Sequence, residues 1–180
     1  KQFSATTFIL NNEYAYLGFR GTDTTVIGWK EDFNMAFVCP IPSQIEGASY
    51  VNKVANLIPH KLFIGGHSKG GNLAMASAME LTDPKFSKIR EVCNFDGPGF
   101  KKEEYESNKY KRLNQKLLNI IPTGSVVGTL LYNDNYKVVS SNEIAFEEHY
   151  PTSWKVFGQY FIEGKLSDIS RQFHKNASDG

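Results

Sequence analysis

The chain has 180 residues, a length suited to one domain, and its 41% hydrophobic and 13% aromatic content is enough for a sizeable packed core. Lys and Arg number 20 against 19 Asp and Glu, a formal charge of +1, which argues against a nucleic-acid binder with a broad basic face and against a polybasic membrane anchor. The two cysteines, Cys39 and Cys93, are too few for a disulfide scaffold and read as buried free thiols, while a mean hydropathy of −0.38 and apolar runs as short as Leu62-Phe63-Ile64 exclude a transmembrane helix.

The sequence opens on Lys1 with no charged, apolar and small-residue export pattern after it, so the expected location is the cytoplasm. A strand at residues 6–10 follows almost at once, and upstream segments are expected to be missing. A second strand at 14–19, rich in aromatics, is separated from the first by Asn11-Asn12-Glu13, a hairpin signal. The turn cluster Arg20-Gly21-Thr22-Asp23 leads to a short helical stretch at 26–33. Apolar residues from Ile45 to Ile58 fall near helical spacing and Pro59 closes that segment.

Residues 61–66 form a short apolar strand that runs directly into Ser68-Lys69-Gly70-Gly71 and a helix through Glu80. Its Ala74, Ala76 and Ala78 suit close packing. Residues 90–95 and 116–121 are two further strands, each preceded by a helical stretch. Strands alternating with helices predict a mostly parallel sheet with helices on both faces. No repeat or linker divides the chain, so residues 1–180 read as one α/β unit.

The segment Gly66-His67-Ser68-Lys69-Gly70 fits G-x-S-x-G, with a strand immediately before and a helix immediately after. That context is what a nucleophile elbow requires. The serine sits in a tight strained turn that lifts its Oγ clear of the sheet, and side chains at the flanking glycines would collide with strand and helix. The helix start adds N–H groups and a positive dipole end where an oxyanion would develop. Lys69 is followed by Gly70, which excludes a Walker A loop, and Gly97-Pro98-Gly99 lacks the third glycine of a dinucleotide loop.

Phe19-Arg20-Gly21-Thr22, Trp29, Asp32 and Gly66-His67-Ser68-Lys69-Gly70-Gly71 together resemble the class 3 lipases of the α/β-hydrolase fold. Lys69 and Asn94-Phe95-Asp96-Gly97-Pro98-Gly99-Phe100 look more like an uncharacterised bacterial branch of that superfamily. The resemblance spans roughly residues 14–154 and implies a single α/β-hydrolase domain, incomplete at its N-terminus.

Ser68 is the candidate nucleophile and needs a base. Of the four histidines, His67 lies within the elbow and is expected to point away from Oγ, His60 lies at the wrong end of its strand, and His174 lies in a polar tail. His149 follows the last strand-like segment and fits the chain order serine, acid, histidine, which the resemblance also supports. In class 3 lipases the acid aligns with Ser125, where this chain has a hydroxyl. Asp96, after the strand that follows the elbow strand, is the best substitute, and it reads equally well as a turn cap. Asp134 is a further candidate that reads more readily as a solvated hairpin tip.

The oxyanion hole needs two donors. The backbone N–H of Lys69 supplies one, and the resemblance implies Thr22 for the other. The Lys69 side chain is expected to extend into solvent, Arg20 and Asp32 to be structural, and residues 24–37 to form either a lid over an acyl pocket or a plain packed helix. The leading reading is a serine hydrolase cleaving a small-molecule or lipid carboxylic ester through an acyl-enzyme, with no metal or cofactor implied. The alternatives are a catalytically silent domain lacking the usual acid and, more weakly, a peptidase.

Overall fold

The structure is a computed structural model, and it describes residues 3–21, 40–133 and 135–172. Strands β1 (Ala5–Ile9) and β2 (Tyr14–Phe19) pair antiparallel, from Ala5 opposite Phe19 to Ile9 opposite Ala15. Between them Asn11 Oδ1 accepts hydrogen bonds from the backbone N–H groups of Glu13 and Tyr14, both at 2.8 Å, so the asparagine side chain sets the turn. Helix α1 (Pro42–Leu57) begins three residues before the apolar periodicity does. Pro42 tolerates the first helical position, and Gln44 Oε1 accepts from the Ile41 N–H at 2.9 Å, satisfying a donor the helix start leaves over.

Strand β3 (Lys61–His67) and helix α2 (Lys69–Met79) form the elbow unit. A short helix α3 (Asp83–Phe86) leads to β4 (Ile89–Phe95), and helices α4 (Lys102–Tyr105) and α5 (Asn108–Asn114) lead to β5 (Leu117–Pro122). Strand β6 (Lys137–Val139) completes a six-stranded sheet in the order β1-β2-β3-β4-β5-β6, parallel from β2 onward. A separate antiparallel hairpin joins β7 (Val156–Phe157) to β8 (Tyr160–Phe161).

The mixed α/β, mostly parallel architecture is as expected, and among the described residues the helices lie on one face of the sheet rather than on both. Each parallel step moves to the adjacent strand in the same direction, and right-handed crossovers then return every connecting helix to one face. Helices α1, α2 and α5 pack side by side there. They bury Ala15, Leu17, Phe19, Leu62, Ile64 and Val92 against Val51, Val54, Leu73 and Met75 in one core. On the other face Tyr14, Tyr16 and Phe63 stay half-buried, and among the described residues no helix covers them. Trp154 closes only the far end, against Ile120 and Val139, with Phe95 and Leu118 beside them.

Cys93 on β4 is a free, buried thiol, and burial, with Glu91 beside it, pushes its pKa up to about 12. Thiolate is the reactive species. Iodoacetamide at pH 8 is therefore expected to leave Cys93 unmodified in the native protein and to alkylate it after denaturation, as peptide mass mapping would read. Cys39 lies outside the described residues. No helix among those residues is long and apolar enough to cross a membrane.

The parallel strands all point their C-terminal ends at one edge of the sheet. Ser68 follows β3, Asp96 follows β4 and Ser125 follows β5, so the topology gathers residues distant in sequence where open α/β sheets place their sites.

Candidate active site

The chain turns from β3 into α2 at Ser68, whose backbone (φ 58°, ψ −133°) occupies a region L-residues rarely adopt. Two hydrogen bonds hold that conformation. Ser68 N–H donates to the Phe95 carbonyl at 2.9 Å, and Gly71 N–H donates to the Ser68 carbonyl at 2.9 Å. A Cβ on Gly66 would lie 2.5 Å from the Gly70 carbonyl carbon and 2.7 Å from the Phe19 oxygen. A Cβ on Gly70 would collide with the Phe19 carbonyl oxygen. The glycines are thus required by backbone-to-backbone approach on both sides of a half-buried serine.

The expectation for Lys69 is corrected: its side chain does not extend into solvent, the residue being 3% exposed. A Cβ on Gly21 would stand 2.9 Å from the His67 oxygen and 3.6 Å from Ser68 Cβ, so the chain at Gly21 runs beside Ser68. Thr22, Trp29, Asp32, Asp134, His174 and the helix or lid expected within residues 24–37 lie outside the described residues.

Asp96 ends β4 in a left-handed conformation (φ 50°), which aspartate tolerates better than most side chains, and it is fully buried. A buried carboxylate needs donors, and three converge on it. His149 Nδ1 donates to Oδ2 at 2.7 Å, while Gly128 N–H at 3.1 Å and the Ser125 hydroxyl donate to Oδ1. Ser125 Oγ also accepts from the Gly128 N–H at 3.1 Å. The structure therefore brings Asp96, Ser125 and His149 together, with Ser125 holding the carboxylate.

A buried chain of amides fixes the turns on either side of Asp96. Asn94 Nδ2 donates to the Gly97 carbonyl and to Asn119 Oδ1, both at 3.0 Å. Asn119 Nδ2 donates to Asn133 Oδ1, and Asn133 Nδ2 to the Gly128 carbonyl at 2.7 Å. On the helix side, Asn72 Nδ2 reaches the Gly99 carbonyl at 2.9 Å. Asn94 entered the sequence reading only as part of the segment around Asp96; Asn72, Asn119 and Asn133 were not singled out, and for Asn94 and Asn119 the trace was a polar residue on an otherwise apolar strand.

His149 ends a turn of 3-10 helix, Ala145–His149, and its side chain is 23% exposed. Glu148 beside it is buried and accepts from the Gly124 N–H at 2.8 Å, while the Trp154 indole N–H donates to the Glu148 carbonyl at 2.8 Å. His67 does not point away from the site. Its Nε2–H donates to the His149 carbonyl at 2.6 Å, and the two rings lie 4.4 Å apart. Burial and the neighbouring His149 ring lower its pKa, which keeps the imidazole neutral in neutral solution. Among the described residues no cluster of three or more His, Cys, Asp or Glu could hold a metal ion.

With this geometry in view, comparison with known families gives one match, to the Mbeg1-like family, over residues 1–179. The chain belongs to the Mbeg1-like family. That finding corrects the resemblance read from the sequence, since neither a class 3 lipase nor an α/β-hydrolase family matches beside it. Of the residues that looked lipase-like, the elbow glycines have a steric cause of their own in this chain, since a Cβ on Gly66 or Gly70 would meet neighbouring backbone. No curated protein and no solved structure matches the chain.

Proposed function

We propose that this chain is a serine hydrolase that cleaves a carboxylic ester, with Ser68 as nucleophile, His149 as base and Asp96 as the orienting acid. One observation carries the reading: a carboxylate with no solvent exposure accepts from His149 Nδ1 at the sheet edge where Ser68 occupies a strained elbow. The silent-domain alternative rested mainly on a missing acid, and the Asp96–His149 contact favours the hydrolase reading over it. Lipase-like chemistry ascribed to the Mbeg1-like family adds weak support for a hydrolase. The parallel strands with the elbow between β3 and α2 favour an arrangement of the α/β-hydrolase type.

In this mechanism Nδ1–H, engaged with Asp96, leaves Nε2 as the basic nitrogen. Nε2 takes the Ser68 proton as Oγ adds to the ester carbonyl. The tetrahedral oxyanion is met by the Lys69 N–H at the start of α2 and by a second donor, assigned here to Thr22. The protonated imidazole returns its proton to the leaving alcohol. Water, activated by the same nitrogen, then releases the acid and restores Ser68. Exposed Ile144, Phe146 and Tyr150 flank His149, and such a rim suits an ester with an apolar acyl or alcohol part.

A fluorophosphonate is expected to add once to the native protein, giving a single mass increment that is absent in Ser68→Ala. An unlabelled wild type of native fold, or labelling that persists in Ser68→Ala, would refute the assignment.

A further inference from the structure

The second residue of the elbow motif is the largest feature at the site that the mechanism leaves unused. A 3-10 turn as short as Ala145–His149 leaves its last carbonyls without donors of its own. Two ring N–H groups supply them: the Trp154 indole on the Glu148 carbonyl and the His67 imidazole on the His149 carbonyl. His67 alone also touches the His149 ring, at 4.4 Å between centroids and 42° between planes. A carbonyl oxygen only accepts, so the proton of neutral His67 sits on Nε2. Among the described residues, the titratable groups that face this ring are His149, from the 3-10 turn, and Asp96, from the end of β4.

We propose that His67 is a positioning residue for His149, clamping both the backbone and the ring of the base from the turn that carries the nucleophile. The inference rests on the reading of Ser68 and His149 as a catalytic pair. His67 adjoins Ser68 in the chain and pairs with Phe95, the residue before Asp96. One side chain therefore ties the base to the strand ends that carry the nucleophile and the acid. Small errors in such placement are costly in rate, because the reacting atoms must meet within a few tenths of an ångström.

The test compares His67→Gln, whose amide nitrogen reaches about as far as Nε2 and still donates, with His67→Phe, which keeps a ring against His149 and lacks the donor. The readouts are the rate constant for fluorophosphonate labelling, kcat and KM on p-nitrophenyl acetate, and the low-field proton resonance of His149 Nδ1, assigned by its loss in Asp96→Asn. His67→Phe is expected to label about 10-fold more slowly, with kcat reduced, KM little changed and the low-field resonance broadened. His67→Gln is expected to recover most of the rate and keep the resonance. Equal activity and an unchanged resonance in His67→Phe would overturn the proposal, as would equal losses in both variants. If the wild type takes no label while the resonance still follows the Gln and Phe pattern, the clamp stands and the hydrolase reading fails.

Discussion

Replacing Asp96 by asparagine is expected to lower kcat by about 10³–10⁴ with KM nearly unchanged. The direction follows from which oxygen each donor uses. Ser125 O–H and Gly128 N–H both donate to Oδ1, so an asparagine here keeps its carbonyl oxygen on that side and turns its NH2 toward His149 Nδ1. An NH2 group offers that nitrogen only protons, so Nδ1 must accept. The imidazole proton then moves to Nε2, and the nitrogen needed to take the Ser68 proton is blocked. Asparagine tolerates φ 50° as aspartate does, and it removes a buried charge, so the fold is expected to be at least as stable. Steady-state kinetics on p-nitrophenyl acetate, with thermal unfolding as control, check both halves. Near-normal kcat in a folded Asp96→Asn protein would show that the acid lies elsewhere.

The same contacts explain what the sequence could and could not say about this site. The elbow was legible because its causes are local: glycines pressed by neighbouring backbone and a strand running into a helix within six residues. Asp96 was legible only as one of two even readings, since its partner His149 is 53 residues away and no spacing rule spans that distance. Ser125 looked like the site of a lost acid, yet its hydroxyl donates to the Asp96 carboxylate. His67 and Lys69 were misplaced for one reason. Sequence places them on the elbow but says nothing of what closes over it, and here the 3-10 turn meets His67 while Lys69 is buried.

In the fold, long periodic segments were legible and short ones were not. Helix α1 and strands β3, β4 and β5 carry their own apolar patterns. Strand β6 has three residues and β7 and β8 two each, so those segments owe their form to tertiary pairing. The single-sided packing of α1, α2 and α5 depends on strand order, which the alternation of strands and helices does not reveal.

Gly70→Ala is expected to damage stability and activity together. A Cβ there meets the Phe19 carbonyl oxygen and lies 3.0 Å from the Arg20 carbonyl carbon. These are backbone atoms held in the sheet by the pairing of Phe19 with Gly66, so no side-chain rotation can make room. Either α2 must lift from β3 or the end of β2 must move outward. Overpacking of this kind costs about 3 kcal/mol, which for a chain of this size is a fall in Tm of about 10 °C. The loss of activity follows from direction rather than from unfolding. Moving the end of β2 carries Gly21 away from Ser68, and lifting α2 carries the Lys69 N–H away from the oxyanion. Below the lowered Tm, fluorophosphonate labelling is therefore expected to stay slow although the protein is folded. By contrast, a mutation at a buried position remote from the elbow, such as Val51→Ala in α1, is expected to lower Tm and leave the labelling rate unchanged. Equal labelling rates for wild type and Gly70→Ala at a temperature where both are folded would mean that contact between α2 and the end of β2 does not shape the oxyanion side of the site.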